Sequence, residues 1–159
     1  MAIVVRPAEA ADLEVLRARQ SRPDLNLVDQ HFSLQQQDKL LFAVAFDGDE
    51  PLGSAIIEWE GAHLSPELRN MYVFPEARRQ GAGKALTQWI EDQARRRGYS
   101  EVFLAVDPNN EKAVPLYVSL EYHPIGEHIF VEDPEVIQTE ETKPSPTHYA
   151  VYKKSLTAH

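Results

Sequence analysis

An α+β domain is predicted for this chain, built on a mixed, mostly antiparallel sheet of six to seven strands with helices packed on both faces. Three observations predict it. The runs "LLFAVAF" (40–46) and "LGSAIIEWE" (52–60) flank an Asp47-Gly48 turn, which signals an antiparallel hairpin. A long amphipathic helix, Gly81 to Arg97, stands between strand runs 67–74 and 101–106. That βαβ unit adds one parallel pair. Two more strand runs, 125–131 and 148–154, follow a short helix.

The first strand is the β-branched run "AIVVR" (2–6), ended by Pro7. Leu13, Val15 and Leu16 then fall near helical spacing. Residues 21–39 are polar, with a second short helix expected around Leu25 to His31. After the hairpin, Gly61 and Pro66 mark a loop, and "ELRNMYVF" (67–74) is a strand closed by Pro75. In the long helix, Leu86, Trp89, Ile90 and Ala94 form one apolar stripe. Glu91–Arg95 and Asp92–Arg96 read as i,i+4 ion pairs on the other side, and Gly98 sits where a C-cap belongs. "NNEKAVPLYVSL" (109–120) reads as a helix, although Pro115 is at home only in a first turn. The acidic, Pro-rich stretch 132–147 reads as a loop between the last two strands.

The 159 residues, 43% of them hydrophobic, suit one domain spanning 1–159. Cysteine is absent, which excludes disulfides, thiolate zinc sites and cysteine nucleophiles. A net charge of −9, from 25 acids against 16 bases, repels nucleic acid, whose affinity comes from neutralised phosphates. No apolar run is long enough to span a membrane, and "MAIVVRPAEA" lacks the pattern of a secretory signal. A soluble cytoplasmic protein is expected. The scattered histidines His31, His123, His128, His148 and His159 show no metal signature and read as surface residues.

The chemistry concentrates in "RRQGAGKAL" (78–86). Read as a Walker A loop, it has Arg78 in place of the leading glycine and Ala85 in place of the Ser/Thr that holds magnesium. A dinucleotide fingerprint fails at Leu86. What remains is a strand, a basic loop with two glycines, and a helix start. Glycines admit close backbone approach, and the helix start offers unpaired N–H groups at the positive end of its dipole. Such a site suits a pyrophosphate.

"NMYVFPEARRQGAGKAL" resembles motif A of the GNAT acyltransferase superfamily, whose signature [RQ]-x-x-G-x-[GA] matches Arg78 to Gly83. Asn110, Ala113, Leu116 and Tyr117 match the next family motif, N-x-x-A-x-x-L-Y, although its Gly-Phe pair is Glu121-Tyr122 here. The early "IVVRPAEAADLEVL" and late "HYAVYKKSL" look like the family's first and last elements, so the resemblance covers nearly the whole chain.

The resemblance implies the GNAT fold, with the strands of the parallel pair splayed apart, and transfer of an acetyl group from acetyl-CoA to a primary amine by direct attack, without a metal. The backbone of Gln80, Gly81, Ala82, Gly83 and Lys84 would cradle the pyrophosphate, with Arg78, Arg79 and Lys84 adding charge. Met71, Tyr72 and Val73 would pair through their backbone with the pantetheine arm, and an N–H near Val73 would polarise the thioester carbonyl. Asn110 would hydrogen-bond the cofactor, though it or Asn109 could equally cap its helix. Tyr117 would be the general acid for the leaving thiolate, yet it also lies on its helix's apolar face and could simply pack.

For the base, Glu67 opens the fourth strand, where several family members carry a carboxylate. Glu58 and Glu60 share one face of strand 52–60, and His63 is a further candidate. With Trp59 between them, Glu58 and Glu60 could also line a pocket for a cationic, partly apolar amine. A small-molecule amine is the first expectation for the acceptor, and a protein N-terminus or lysine the second. A non-catalytic CoA-binding sensor is the rival class. Homodimers occur in the family, but no interface can be derived from the sequence.

Overall fold

The computed structural model describes residues 2–132, 134–136 and 147–157. Strand β1 (Ile3–Pro7) leads into helices α1 (Leu13–Arg19) and α2 (Leu27–Gln36). Strands β2 (Leu40–Asp47), β3 (Glu50–Glu58) and β4 (Glu67–Val73) follow, then helix α3 (Ala82–Arg96) and strand β5 (Glu101–Val106). Helix α4 (Ala113–Ser119) and strands β6 (His123–Val131) and β7 (Thr147–Ser155) complete the order. The expected second helix is therefore longer and later than 25–31. Of the expected loop 132–147, residues 133 and 137–146 lie outside the described residues.

The strands form one seven-stranded sheet in the order β1-β2-β3-β4-β5-β7-β6. Every neighbouring pair is antiparallel except β4 with β5, so the expected mixed sheet is observed. The β2–β3 hairpin turns on Gly48, whose φ of 60° suits a residue without a Cβ.

Side-chain alternation sorts the two faces. Phe42 pairs in register with Ile56 and meets His31 of α2 edge-on at 5.5 Å. Trp59, three residues on, points to the opposite face, stacked at 5.5 Å on Tyr99 just after α3. Helices α2 and α3 thus cover opposite faces. On α3, Leu86, Ile90 and Ala94 are fully buried, and each large apolar side chain there contributes about 1.5–3 kcal/mol. Among the described residues, no helix is long and apolar enough to cross a membrane.

Candidate active site

The chain leaves β4 through a turn at Pro75–Ala77 and enters α3 at Gly81, whose φ is 92°. The first helical bond runs from Ala85 N–H to the Gly81 carbonyl, at 3.0 Å. The N–H groups of Ala82, Gly83 and Lys84 therefore have no acceptor within the helix, no side chain caps them, and the first turn carries no acid. A Cβ on Gly83 would stand 3.2 Å from Leu116 Cδ2, so glycine lets α3 start close against α4. Arg78 donates from Nε to the Val73 carbonyl at 3.2 Å, while Arg79, Gln80 and Lys84 are exposed. An uncapped 15-residue helix with three bases around its start fits a pyrophosphate.

Beside this cradle the sheet opens. Strands β4 and β5 pair only at Glu67 with Phe103 and at Leu68 with Leu104. From Arg69 to Val73, β4 no longer pairs with β5, although β3 still pairs with it as far as Val73. Asn70 bulges there with φ 56°, where the register with β3 shifts between Ser54 and Ile56. Met71, Tyr72 and Val73 are half-buried on the stretch of β4 that lies beyond its two pairs with β5.

At the closed end of this opening three carboxylates surround one arginine. Glu58 and Glu67 are direct cross-strand partners. Their Oε1 atoms lie within 3.3 Å of the point where a side chain on Gly61 would begin. Arg69 donates to Glu58 at 3.0 Å and to Glu135, from the segment before β7, at 2.8 Å. The Glu67 carboxylate has neither a hydrogen bond nor an ion pair among the described residues. Burial lifts its pKa from 4.5 to about 7, helped by Glu58 and Glu135 and opposed by Arg69. Asn70 Nδ2 also reaches Glu135 at 3.2 Å and His31 Nε2 at 3.3 Å.

Beside the α3 start lies α4, through Leu116. Asn110 Oδ1 accepts from the N–H groups of Lys112 and Ala113, at 3.2 and 3.0 Å, so the helix starts at Ala113 rather than 109. Pro115 then falls in the first turn, where its missing N–H is harmless. Tyr117 is buried, and burial raises its pKa. The helix ends with Glu121 at φ 75°, Tyr122 N–H bonded to the Tyr117 carbonyl at 2.9 Å, and Glu121 N–H to Val118 at 3.0 Å. This is a Schellman cap in which glutamate takes the left-handed position usual for glycine. The Tyr122 ring meets Tyr117 edge-on at 5.8 Å, and its hydroxyl donates to Glu91 Oε2 at 2.9 Å.

The acetyltransferase (GNAT) family model matches residues 8–122. The chain belongs to this family. Among curated relatives it is 27% identical over 104 residues to "Probable N-acetyltransferase 14" of Xenopus tropicalis, covering 65% of this chain and 50% of the relative. It is 32% identical over 84 residues to the thialysine N-epsilon-acetyltransferase of Caenorhabditis elegans, covering 50% of this chain and 51% of the relative. The chain thus spans about half the length of these relatives. Among solved structures it resembles a GNAT superfamily phosphinothricin acetyltransferase from Sinorhizobium meliloti in complex with acetyl-CoA. The TM-score is 0.74 at 19% identity, over 100% of this chain and 92% of that one. At that identity the likeness shows the fold.

Within this GNAT chain, the structure groups the expected site residues unevenly. It brings the Gln80–Lys84 backbone next to the Val73 end of β4, and Glu58 next to Glu67. Trp59 does not join them. It is buried on the α3 face, between Tyr99 and the Arg97 guanidinium, 4.1 Å above its ring. Glu60 does not share a strand face with Glu58, because β3 ends at Glu58 and Glu60 lies exposed in the turn beyond. His63 is exposed in the same connection. His31 is not a surface residue but is 8% exposed, and burial lowers its pKa to about 4.

Nor does Glu91 pair with Arg95. It is 2% exposed and receives Lys154 Nζ at 2.9 Å as well as Tyr122, while Arg95 bonds Asp92 at 2.8 Å. Sequence reasoning missed Arg69, Asn70 and Glu135. Arg69 carried a signal, since it shares the strand face of Glu67 two residues on. Glu135, distant in sequence, carried none.

Proposed function

We propose that this chain is an acetyl-CoA-dependent N-acetyltransferase that acylates a primary amine of a small molecule by direct attack on the thioester. The observation that carries this reading is the Glu67 carboxylate, half-buried between Glu58 and Arg69 without a hydrogen-bond partner among the described residues, at the closed end of the β4–β5 opening; the pKa raised by its burial agrees with it. Acetyl-CoA, when bound, supplies the acetyl thioester. The α3 start would hold its pyrophosphate, and the part of β4 that has left β5 would align its extended arm. Glu67 takes a proton from the incoming ammonium, which frees the nitrogen lone pair to attack. As the C–S bond breaks, Tyr117 would give its proton to the thiolate, and the second proton that the nitrogen sheds on becoming an amide would restore the phenol, which burial keeps neutral. Asn110 acts one step removed, because its Oδ1 is engaged in starting the helix that carries Tyr117. The name of the thialysine-acetylating relative supports a small amine acceptor.

Thermal unfolding with acetyl-CoA, CoA, ATP and NAD in turn tests the first half of the reading. A ligand that binds only the folded chain raises the midpoint by mass action. A rise with acetyl-CoA and CoA alone is expected, followed by thiol release when primary amines are added. No rise with either near millimolar concentration would overturn both the enzyme and the sensor readings.

A further inference from the structure

The reaction above gives no role to Arg69. It stands on the strand face of Glu67, two residues on, a separation of roughly 7 Å that an arginine side chain can span. Its guanidinium nevertheless leaves Glu67 alone. Nη1 donates to Glu58 at 3.0 Å and Nη2 to Glu135 at 2.8 Å, so each terminal nitrogen is engaged by a different carboxylate. Turning either nitrogen toward Glu67 would break a charge-assisted bond.

The two carboxylates are anchored differently. Glu58 is set by the sheet, as the direct cross-strand partner of Glu67. Glu135 belongs to the short stretch 134–136 between β6 and β7, which side chains from elsewhere hold down. Arg22 Nη1 donates to the Pro134 carbonyl at 2.7 Å, and Asn70 Nδ2 to Glu135 Oε1 at 3.2 Å. The other titratable groups on the elements around Glu67 do not compete for it. His31 of α2 is neutral near pH 7, and His63 of the β3–β4 connection is exposed. Lys153 of β7, across Phe103 of β5, is paired with Glu101 at 3.4 Å.

Resting on the acetyltransferase reading, we propose that Glu135 is a positioning residue, which holds Arg69 away from Glu67 so that the base stays unpaired only while the stretch 134–136 is seated on β4. With Glu135 withdrawn, Arg69 keeps its bond to Glu58 and turns its freed nitrogen to Glu67. A carboxylate paired with arginine gives up its proton at lower pH and is a poorer base. The stretch before β7 thus couples its own docking to catalysis without supplying the base itself.

The test follows the ¹³C signal of the Glu67 carboxyl against pH in the ligand-free chain, assigned through its loss in Glu67→Gln. From near 7 in the parent, the titration midpoint is expected to fall by about one unit or more in Glu135→Gln. In an Arg69→Gln background the same change should move it much less, because no guanidinium is left to turn. Glu58→Gln releases Arg69 from its other side and should lower the midpoint as well, which gives a second variant should Glu135→Gln not fold. In parallel, kcat/KM is measured by thiol release with acetyl-CoA and butylamine, phenethylamine, spermidine and glycinamide, and its acidic limb should move with the NMR midpoint. A midpoint unmoved in folded Glu135→Gln, or an equal fall with and without Arg69, would overturn the proposal while leaving the acetyltransferase reading standing. Midpoints that move as expected, with no thiol release from any of these amines, would overturn that reading and leave the hold on Arg69 standing.

Discussion

Glu67 and Glu91 are two withdrawn carboxylates on opposite faces of one sheet, and their surroundings differ in kind. Glu91 on α3 meets the ammonium of Lys154 with one oxygen and the hydroxyl of Tyr122 with the other, both at 2.9 Å. Glu67 on β4 meets neither. The one arginine beside it is turned to Glu58 and Glu135, so it moderates the charge on Glu67 without bonding it. A buried carboxylate with two partners ties elements together, here α3, β7 and the end of α4. One without partners keeps its proton until near pH 7 and can then exchange it with a substrate. The same residue type thus packs on one face and, in the proposed mechanism, acts on the substrate on the other.

The comparison is broken most directly by removing each carboxylate in turn. Glu67→Gln is expected to lower kcat/KM by about 10²–10⁴, the usual worth of a general base, measured with any accepted amine. Glu91→Ala should leave activity per folded molecule far less affected, and should destabilise the fold by about 3–5 kcal/mol, because Lys154 stays buried without its counterion. Denaturant unfolding would measure it, and a value under 1 kcal/mol would mean that the pair does not hold the fold together.

The two tyrosines sharpen the same contrast. Tyr117→Phe should lower kcat by about tenfold to a hundredfold with a smaller change in KM. Tyr122→Phe should instead cost about 1–3 kcal/mol of stability, because Glu91 Oε2 loses its donor. An unchanged kcat in Tyr117→Phe would remove that hydroxyl from the chemistry. Stability should also depend on pH through Glu67. Its pKa is higher in the folded chain than its ordinary 4.5, so its contribution is fully present below 4.5 and is lost as pH rises through about 7. Melting curves from pH 4 to pH 8 should show that decline in the parent chain and less of it in Glu67→Gln. The smallest effect expected is a gain. Glu121→Gly should stabilise the chain by about 1 kcal/mol by relieving the left-handed backbone.

Much of the fold was legible because it rests on local periodicity. The β2–β3 hairpin and α3 follow from apolar spacing and a Gly-containing turn. The start of α4 was not, because Asn110 folds its side chain back onto two backbone N–H groups and delays the helix by a turn. On α3, Glu91 looked like half of a surface ion pair, since spacing alone does not show that Lys154 and Tyr122 come to meet it. Trp59 and Glu60 were placed at the site on the assumption that β3 continues past Glu58, and the chain turns there instead. The uncapped start of α3 was readable from Arg78 to Lys84 because glycine and basic residues mark it in the sequence. The carboxylate cluster was readable only in its β3–β4 half, since Glu135 joins it from 66 residues away.

The central claim is that Glu67, left unpaired by Arg69, is the base. The pH dependence of kcat/KM, measured with one amine for the parent chain and for Glu67→Gln, tests it most directly. A limb rising with an apparent pKa near 7 in the parent and missing from Glu67→Gln is the expected result. The same limb persisting in Glu67→Gln would contradict the account and place the base elsewhere.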